Sequence, residues 1–328
     1  MTGVVEITDA LGTSVARVAV DRGFNCFSFQ VDGHELLDAV PGFESGEGRP
    51  SGHGIPILFP FPNRIRDGRF SWNHASYHLP AGLAPDDGQG NAIHGFCLDR
   101  AWQVTDRDSS SVTGEFLLSR DAADRRPLWP SNARIAITYR LENNRLLADI
   151  AIDNPDDQDM PFGFGTHPYF RLPLGPDSNA ADCRIQVPAS QQWQLDGCLP
   201  SGRLLPLDTG CDLNNGGRFG DLQLDHVLTS IIHSHPGSAD VLEMNVEDPG
   251  AGRRLIQRCD GKMFREVVVY TPPERNAVCL EPYTCVTDAI NLDPTGTHSG
   301  WQVLAAGQAW ETRIELFTRP LGTNTLLN

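Results

Sequence analysis

The chain has 328 residues, of which 40% are hydrophobic, and a formal net charge of −16. This composition predicts a globular protein whose partners include neither nucleic acid nor an anionic membrane, and it disfavours a strongly anionic substrate unless arginines cluster locally. The first twelve residues lack a basic start and an apolar run, so we expect no signal peptide, no membrane span and a cytoplasmic location.

Strand patterns dominate the first third of the chain. Residues 13–20 are rich in β-branched side chains, and residues 24–31 alternate up to Asp32-Gly33, a pair typical of a tight hairpin turn. Residues 55–62 are apolar but broken by prolines, and residues 70–79 alternate again as in a strand. Two loops are predicted around these segments, at residues 41–56 and 80–92.

The clearest hairpin lies at residues 133–152, with a turn at Glu142-Asn143-Asn144. Helical periodicity is limited to a short stretch within 119–129 and a turn within 284–291. Further strands are predicted at 184–187, 192–195, 227–232, 241–246, 254–257, 266–270, 277–281 and 311–317. Because no repeat and no linker divides the chain, the pattern predicts one all-β domain over residues 1–328, a large sandwich or barrel.

Eight scattered cysteines form no CxxC pair, and we predict them to be free, small, buried residues. The chain also lacks GxGxxG, GxxxxGK[ST], HExxH and GxSxG motifs, so nucleotide cofactors, zinc peptidases and α/β-hydrolases are unsupported. His233 and His235 have the spacing of one strand face, which suits a metal, but with no carboxylate or cysteine partner nearby the exposed-strand interpretation is favoured. We therefore predict an acid–base site without metal or cofactor.

Four local patterns place side chains with suitable chemistry at loops or strand ends. Arg64 follows the proline-broken apolar run and could hold oxygen ligands, or lie at the surface. His94 lies at the end of a polar loop, directly before a glycine. Its ring could donate a hydrogen bond to a ligand, or it could be a hydrogen-bonded histidine within a strand. His167 sits in an aromatic, glycine-rich decapeptide at 161–170, and Glu281 ends an apolar strand before a proline. Desolvation would raise the pKa of this carboxylate, which suits a general base. Alternatively, Glu281 lies at a strand end in solvent or is paired with an arginine.

Six ordered sequence pieces and a C-terminal strand pair resemble the aldose 1-epimerase, or galactose mutarotase, family. The resemblance covers nearly the whole chain, and the pieces are strong together although none is decisive alone. They are IPILFPFPNRI at 55–65, NAIHGF at 91–96, DNPDDQDMPFGFGTHPYFRL at 153–172, WQLDGCLPSGRLLPL at 193–207, LDHV at 224–227 and LEPYTCVTDAINL at 280–292, with the strand pair near 301–317.

The resemblance implies a large antiparallel β-sandwich, often called a supersandwich, with a cleft on its concave face. It also implies a cofactor-free reaction that interconverts the α and β anomers of a free aldose. His167 would be the general acid and Glu281 the general base of this reaction. Arg64, His94 and Asp225 would bind the sugar. The expected partner is a small-molecule sugar, and the expected assembly is a monomer or a homodimer.

Three departures from the galactose-acting branch leave the substrate open. Thr166 stands where that branch has asparagine, Arg171 follows Phe170, and the chain has HGF at 94–96 where HGG is common. Two alternatives therefore stand beside a free hexose as substrate. One is a hexose 6-phosphate, with Arg66, Arg69 and Arg171 as a local phosphate patch. The other is a non-catalytic sugar-binding protein on the same fold.

Overall fold

The computed structural model describes residues 3–233 and 240–322. Two single-turn α-helices lie in this part of the chain, α1 (Leu118–Asp121) and α2 (Ala289–Leu292), together with six short 3-10 turns. The strands in chain order are β1 (Val4–Thr8), β2 (Ser14–Ala19), β3 (Asn25–Val31), β4 (His34–Glu35), β5 (Ile57–Leu58), β6 (Arg64–Ile65), β7 (Arg69–Trp72), β8 (Ala75–His78), β9 (Ala92–Ile93), β10 (Gln103–Arg107), β11 (Ser111–Leu117), β12 (Arg134–Glu142), β13 (Arg145–Asp153), β14 (Met160–Phe162), β15 (Gly165–Thr166), β16 (Tyr169–Arg171), β17 (Arg184–Gln186), β18 (Ala189–Asp196), β19 (Leu199–Pro206), β20 (Gly217–Arg218), β21 (Asp225–Ile231), β22 (Val241–Asp248), β23 (Arg253–Asp260), β24 (Glu266–Tyr270), β25 (Ala277–Tyr283), β26 (Gln302–Leu304) and β27 (Ala309–Pro320).

Two large antiparallel sheets form the body of the fold. One has nine strands in the order β10-β11-β12-β13-β27-β23-β22-β17-β20. The other has eight, in the order β19-β18-β21-β24-β25-β15-β5, with β16 also paired to β25. A four-stranded sheet, β1-β2-β3-β4, and three two-stranded pairs complete the structure among the described residues. The predicted all-β, antiparallel sandwich is therefore confirmed.

The hydrophobic core lies between the two large sheets. Ile137, Ile150 and Ile314 of the nine-stranded sheet share one buried cluster with Val267 and Leu280 of the eight-stranded sheet. Each such side chain contributes about 1.5–3 kcal/mol by leaving water. This packing fixes which face of β24 and β25 is turned away from the core.

The face of β25 that is turned away from this core carries Glu281 and Tyr283, because side chains alternate along a strand. Val268 pairs with Glu281 and Glu266 pairs with Tyr283 across the β24–β25 ladder, so these four side chains share the face opposite Val267. Every residue of β25 is nonetheless buried, which shows that both faces of the strand are covered. A carboxylate on this face is consequently desolvated.

Several sequence predictions agree with these elements and one was wrong. The hairpin β12–β13 turns at Asn143 and Asn144, both with positive φ, as its sequence indicated. The alternating segment 70–79 is instead a tight hairpin, β7–β8, because Asn73 and His74 take left-handed backbone angles and reverse the chain. All eight cysteines are free, and all but Cys198 are buried. None of the described helices has the length and apolarity needed to cross a membrane.

Candidate active site

Glu281 is a fully buried carboxyl group in the middle of β25. Its side chain is 2% exposed, and its Oε2 accepts a hydrogen bond from the hydroxyl of Tyr283, two residues along the same strand face. Burial raises the pKa of Glu281 well above its usual value. The bond from Tyr283 and the charge of Arg64 act in the opposite direction, whereas the charge of Asp225 raises the pKa further. Neighbouring groups therefore shift the pKa of Glu281 in both directions.

His167 lies directly against this carboxyl group. The backbone N–H of His167 donates to the Pro56 carbonyl at 3.1 Å, which ties the segment after β15 to the neighbouring loop. Its Nε2 lies 3.3 Å from Oε1 of Glu281, and the ring of Tyr169 stacks on it at 4.7 Å with an interplanar angle of 5°. Burial lowers the pKa of His167 to about 3.

The two pKa shifts favour a protonated Glu281 beside a neutral His167. A protonated Glu281 beside a neutral His167 contains the same number of protons as an ionised Glu281 beside a protonated His167. The two forms differ by one proton moved between Oε1 and Nε2, which are 3.3 Å apart. Burial favours the neutral form, and polar groups brought to Glu281 favour the charged one. The arrangement can accept a proton at one atom while releasing another nearby.

Arg64 and His94 reach the pair from a separate two-stranded unit. Arg64 of β6 pairs with Ile93 of β9, and the N–H of His94 donates to the Asn63 carbonyl at 2.8 Å. The His94 ring packs edge-on against His167 at 5.6 Å. Burial lowers the pKa of His94 well below its usual value, and the charges of His167 and Arg64 add to this effect. His94 is therefore a neutral donor and acceptor, and its Nδ1 is buried without a partner among the described residues.

Asp87 fixes the guanidinium of Arg64. Its Oδ2 accepts from Nε of Arg64 at 2.8 Å and from the Asn91 amide at 2.8 Å. Burial alone would raise the pKa of Asp87. These hydrogen bonds, together with those from the backbone of residues 89–91, instead lower this pKa to about 2. This carboxylate, which the sequence did not single out, holds Arg64 in one orientation.

Asp225 completes the set at the start of β21. It pairs with Tyr270 on the neighbouring strand, and it is exposed, unlike the other four residues. Its charge acts on Glu281 and its Oδ2 lies 4.0 Å from the thiol of Cys198. The structure therefore brings together all five residues singled out from the sequence.

Three tyrosines lie against the pair; Tyr169 belongs to the decapeptide at 161–170, whereas Tyr283 and Tyr270 were given no role from the sequence. Tyr283 binds Glu281, Tyr169 stacks on His167, and Tyr270 meets the His167 ring at 81° and 6.3 Å. Tyr283 had a local signal as well, since it lies two residues from Glu281 on β25 and residues two apart on a strand share a face. Gly165 is the position that admits Tyr283, because a Cβ there would lie 2.3 Å from the tyrosine ring.

Known proteins share both the sequence pattern and the fold. The sequence profile of the family described as aldose 1-epimerase matches residues 5–316. This chain belongs to the aldose 1-epimerase family. Its resemblance to that family, inferred from the sequence pieces above, is thus confirmed.

Individual proteins share sequence or fold with this chain. The Escherichia coli K12 "Uncharacterized protein YihR" is 25% identical over 248 residues, which cover 75% of this chain and 74% of that protein. A galactose mutarotase-like protein from Clostridium acetobutylicum superposes with a TM-score of 0.85 at 21% identity, covering 94% of both chains. A GalM/aldose epimerase homologue from C. elegans gives 0.79 at 18% identity, covering 98% of this chain and 100% of that one. The fold is therefore galactose mutarotase-like.

The departures from the galactose-acting branch of the family have separate structural settings. Phe96 of the HGF phrase is core, packed against Phe61 at 5.8 Å and Trp129 at 5.7 Å. Thr166 precedes His167 in the chain, but its buried side chain lines an apolar space with Ile137 and Ile314 of the nine-stranded sheet. Its Oγ1 has no partner among the described residues. The arginines proposed as a phosphate patch act on different carboxylates, Arg66 on Asp288 at 3.4 Å and Arg171 on Asp38.

Within residues 3–233 and 240–322, two groups of side chains have the composition of metal ligands. His167, Cys279 and Glu281 form one, and Asp208, Cys211 and His226 form the other, each with ligand atoms within 4.8 Å of one another. Burial raises the pKa of both thiols, to about 11 for Cys211 and well above the usual value for Cys279. A metal would have to displace these protons to bind. His233 belongs to neither group, and His235 lies outside the described residues.

Proposed function

We propose that the protein is a mutarotase that interconverts the α and β anomers of a free aldose. The observation that carries this proposal is the buried contact of 3.3 Å between Nε2 of His167 and Oε1 of Glu281. A cyclic hemiacetal opens when its anomeric hydroxyl loses a proton while its ring oxygen gains one. Both oxygens are bonded to the same carbon, so the acid and the base must lie side by side.

Each side chain then has a defined task. Ionised Glu281 takes the proton of the anomeric hydroxyl, and protonated His167 gives one to the ring oxygen. The bond between C1 and C2 rotates in the open aldehyde, and reclosure on the other face with the roles reversed yields the other anomer. An acid or base positioned in this way typically raises the reaction rate by roughly 10²–10⁴-fold.

The sugar itself supplies part of the activation. Hydroxyl groups of the substrate and the charge of Arg64 stabilise the ionised form of Glu281 against the burial that disfavours it. Arg64 and neutral His94 bind the oxygen on which negative charge develops, and Asp225 accepts from sugar hydroxyls. Binding therefore shifts the shared proton toward His167, where the reaction needs it.

Polarimetry tests the proposal directly. Freshly dissolved α-glucose and α-galactose relax slowly to their anomeric equilibrium, and catalytic amounts of the protein are expected to accelerate this relaxation. The uncatalysed rate is the control. A protein that binds these sugars in a thermal-shift assay without accelerating the relaxation would be a sugar-binding protein, and the proposal would be wrong.

A further inference from the structure

A cavity lies beside the two tyrosines that contact His167. Its volume is about 310 Å³, within the range of roughly 300–1,000 Å³ that small-molecule sites take. Tyr169 and Tyr270 line it, and the same two rings contact His167 at 4.7 Å and 6.3 Å. The cavity and the catalytic ring thus share two aromatic walls.

The proposed chemistry fixes which part of the sugar faces this cavity. His167 must meet the ring oxygen, and that oxygen is bonded to C1 on one side and to C5 on the other. Glu281 acts on the hydroxyl group at C1. The atoms next to His167 and its aromatic neighbours are therefore C5 and its substituent C6. In this pose a group attached at O6 lies beside Tyr169 and Tyr270, which line the cavity, whereas a group at O4 leaves from C4, opposite C1 across the ring.

The lining of the cavity suits a ring that carries several hydroxyl groups. Asp38 accepts from the Asn276 amide at 3.0 Å and faces His53 at 4.0 Å, so both acceptors and donors are presented. The Arg49 side chain also lines the cavity and forms no hydrogen bond or ion pair with any described residue. Tyr270 and Pro272 add apolar surface. Glu274 and Asp38 line the same cavity as Arg49, so its carboxylates outnumber that arginine, which disfavours an oxyanion as the ligand.

We propose that this cavity binds a second pyranose joined through O6 of the reducing hexose. The proposal rests on the mutarotase function above and names a substrate class for it, the 1→6-linked reducing disaccharides. The reducing ring lies against Glu281 and His167, and the second ring lies between Tyr169, Tyr270 and the polar groups around Asp38.

The test compares two disaccharides that differ only in the attachment point, with glucose and glucose 6-phosphate as references. Magnetisation-transfer NMR between the two anomeric protons measures mutarotation at equilibrium for glucose, glucose-(1→6)-glucose, glucose-(1→4)-glucose and glucose 6-phosphate. We expect kcat/KM for the 1→6 disaccharide to exceed that for the 1→4 disaccharide by at least about tenfold, or about 1.4 kcal/mol. Equal values for the two disaccharides, or a higher value for glucose 6-phosphate, would overturn the proposal. Loss of the glucose reaction itself would refute the mutarotase function instead.

A cavity-filling variant supplies the second arm. Gly52 lines the cavity without a positive φ, and a Cβ there would meet only the Arg49 carbonyl oxygen at 3.6 Å and its Cβ at 3.9 Å. Gly52→Leu is expected to lower kcat/KM for the 1→6 disaccharide about tenfold or more and to leave glucose within about twofold. Arg49→Ala, which removes an exposed side chain and fills nothing, is the matched variant with a smaller loss in the same direction. Equal effects of Gly52→Leu on both sugars, or none on either, would contradict the proposed location.

Discussion

The hydroxyl group of Tyr283 offers the sharpest single-atom test of what sets the pKa of the Glu281 carboxyl group. It donates to Oε2 of Glu281, and both residues are fully buried. Tyr283→Phe removes this donor and keeps the ring, so the pKa of Glu281 must rise further and its ionised form becomes scarcer. A hydrogen bond to a charged group is worth about 1.5–3 kcal/mol, which corresponds to a loss of about 10- to 150-fold in kcat.

Tyr169→Phe is the matched control. The Tyr169 hydroxyl donates to the Ser51 carbonyl at 3.1 Å and not to the catalytic pair, while its ring still stacks on His167. Magnetisation-transfer NMR on glucose should therefore show a large loss of kcat for Tyr283→Phe and a change of less than about threefold for Tyr169→Phe. Wild-type kcat in Tyr283→Phe, or equal losses in the two variants, would refute this account of Glu281.

Two further predictions concern packing and pH. Gly165→Ala puts a Cβ 2.3 Å from the ring of Tyr283. The rate of mutarotation should fall at least about tenfold, because this ring and Glu281 must shift. An unchanged rate would show that the contact is dispensable. Burial raises the pKa of Glu266 from 4.5 to about 8, despite the bond from the Trp193 indole at 2.8 Å. The folded protein thus keeps a proton that the unfolded chain releases, so the free energy of unfolding falls with rising pH over this window by up to about 1.4 kcal/mol per unit. Urea unfolding of Glu266→Gln should lack this component, and parallel pH curves for the two proteins would contradict it.

The strands and the chemistry of single positions could be predicted from the sequence because they depend on local patterns. Alternation set the bounds of β12 and β13, and the two asparagines at their turn tolerate the left-handed angles that the hairpin needs. The same angles at Asn73 and His74 went unrecognised, because a histidine gives no such signal and the alternation runs through the turn.

The interactions between distant residues were beyond local patterns. The sequence singled out His167 and Glu281, but the contact between them depends on the pairing of β15 with β25. Likewise the hydrogen bond from Arg64 to Asp87 joins residues 23 positions apart in the sequence and depends on tertiary packing. The roles of these residues in catalysis, the single domain and the cytoplasmic location stay predictions.

The central claim is that His167 and Glu281 act together in one proton exchange. The most direct measurement is the rate of anomer exchange of glucose with the wild type, His167→Asn, Glu281→Gln and the double variant. We expect each single variant to lose roughly 10²–10⁴-fold, and the double variant to lose little more than the worse single one, because the two residues serve the same step. Near-normal exchange in either single variant, or fully additive losses in the double variant, would contradict the account.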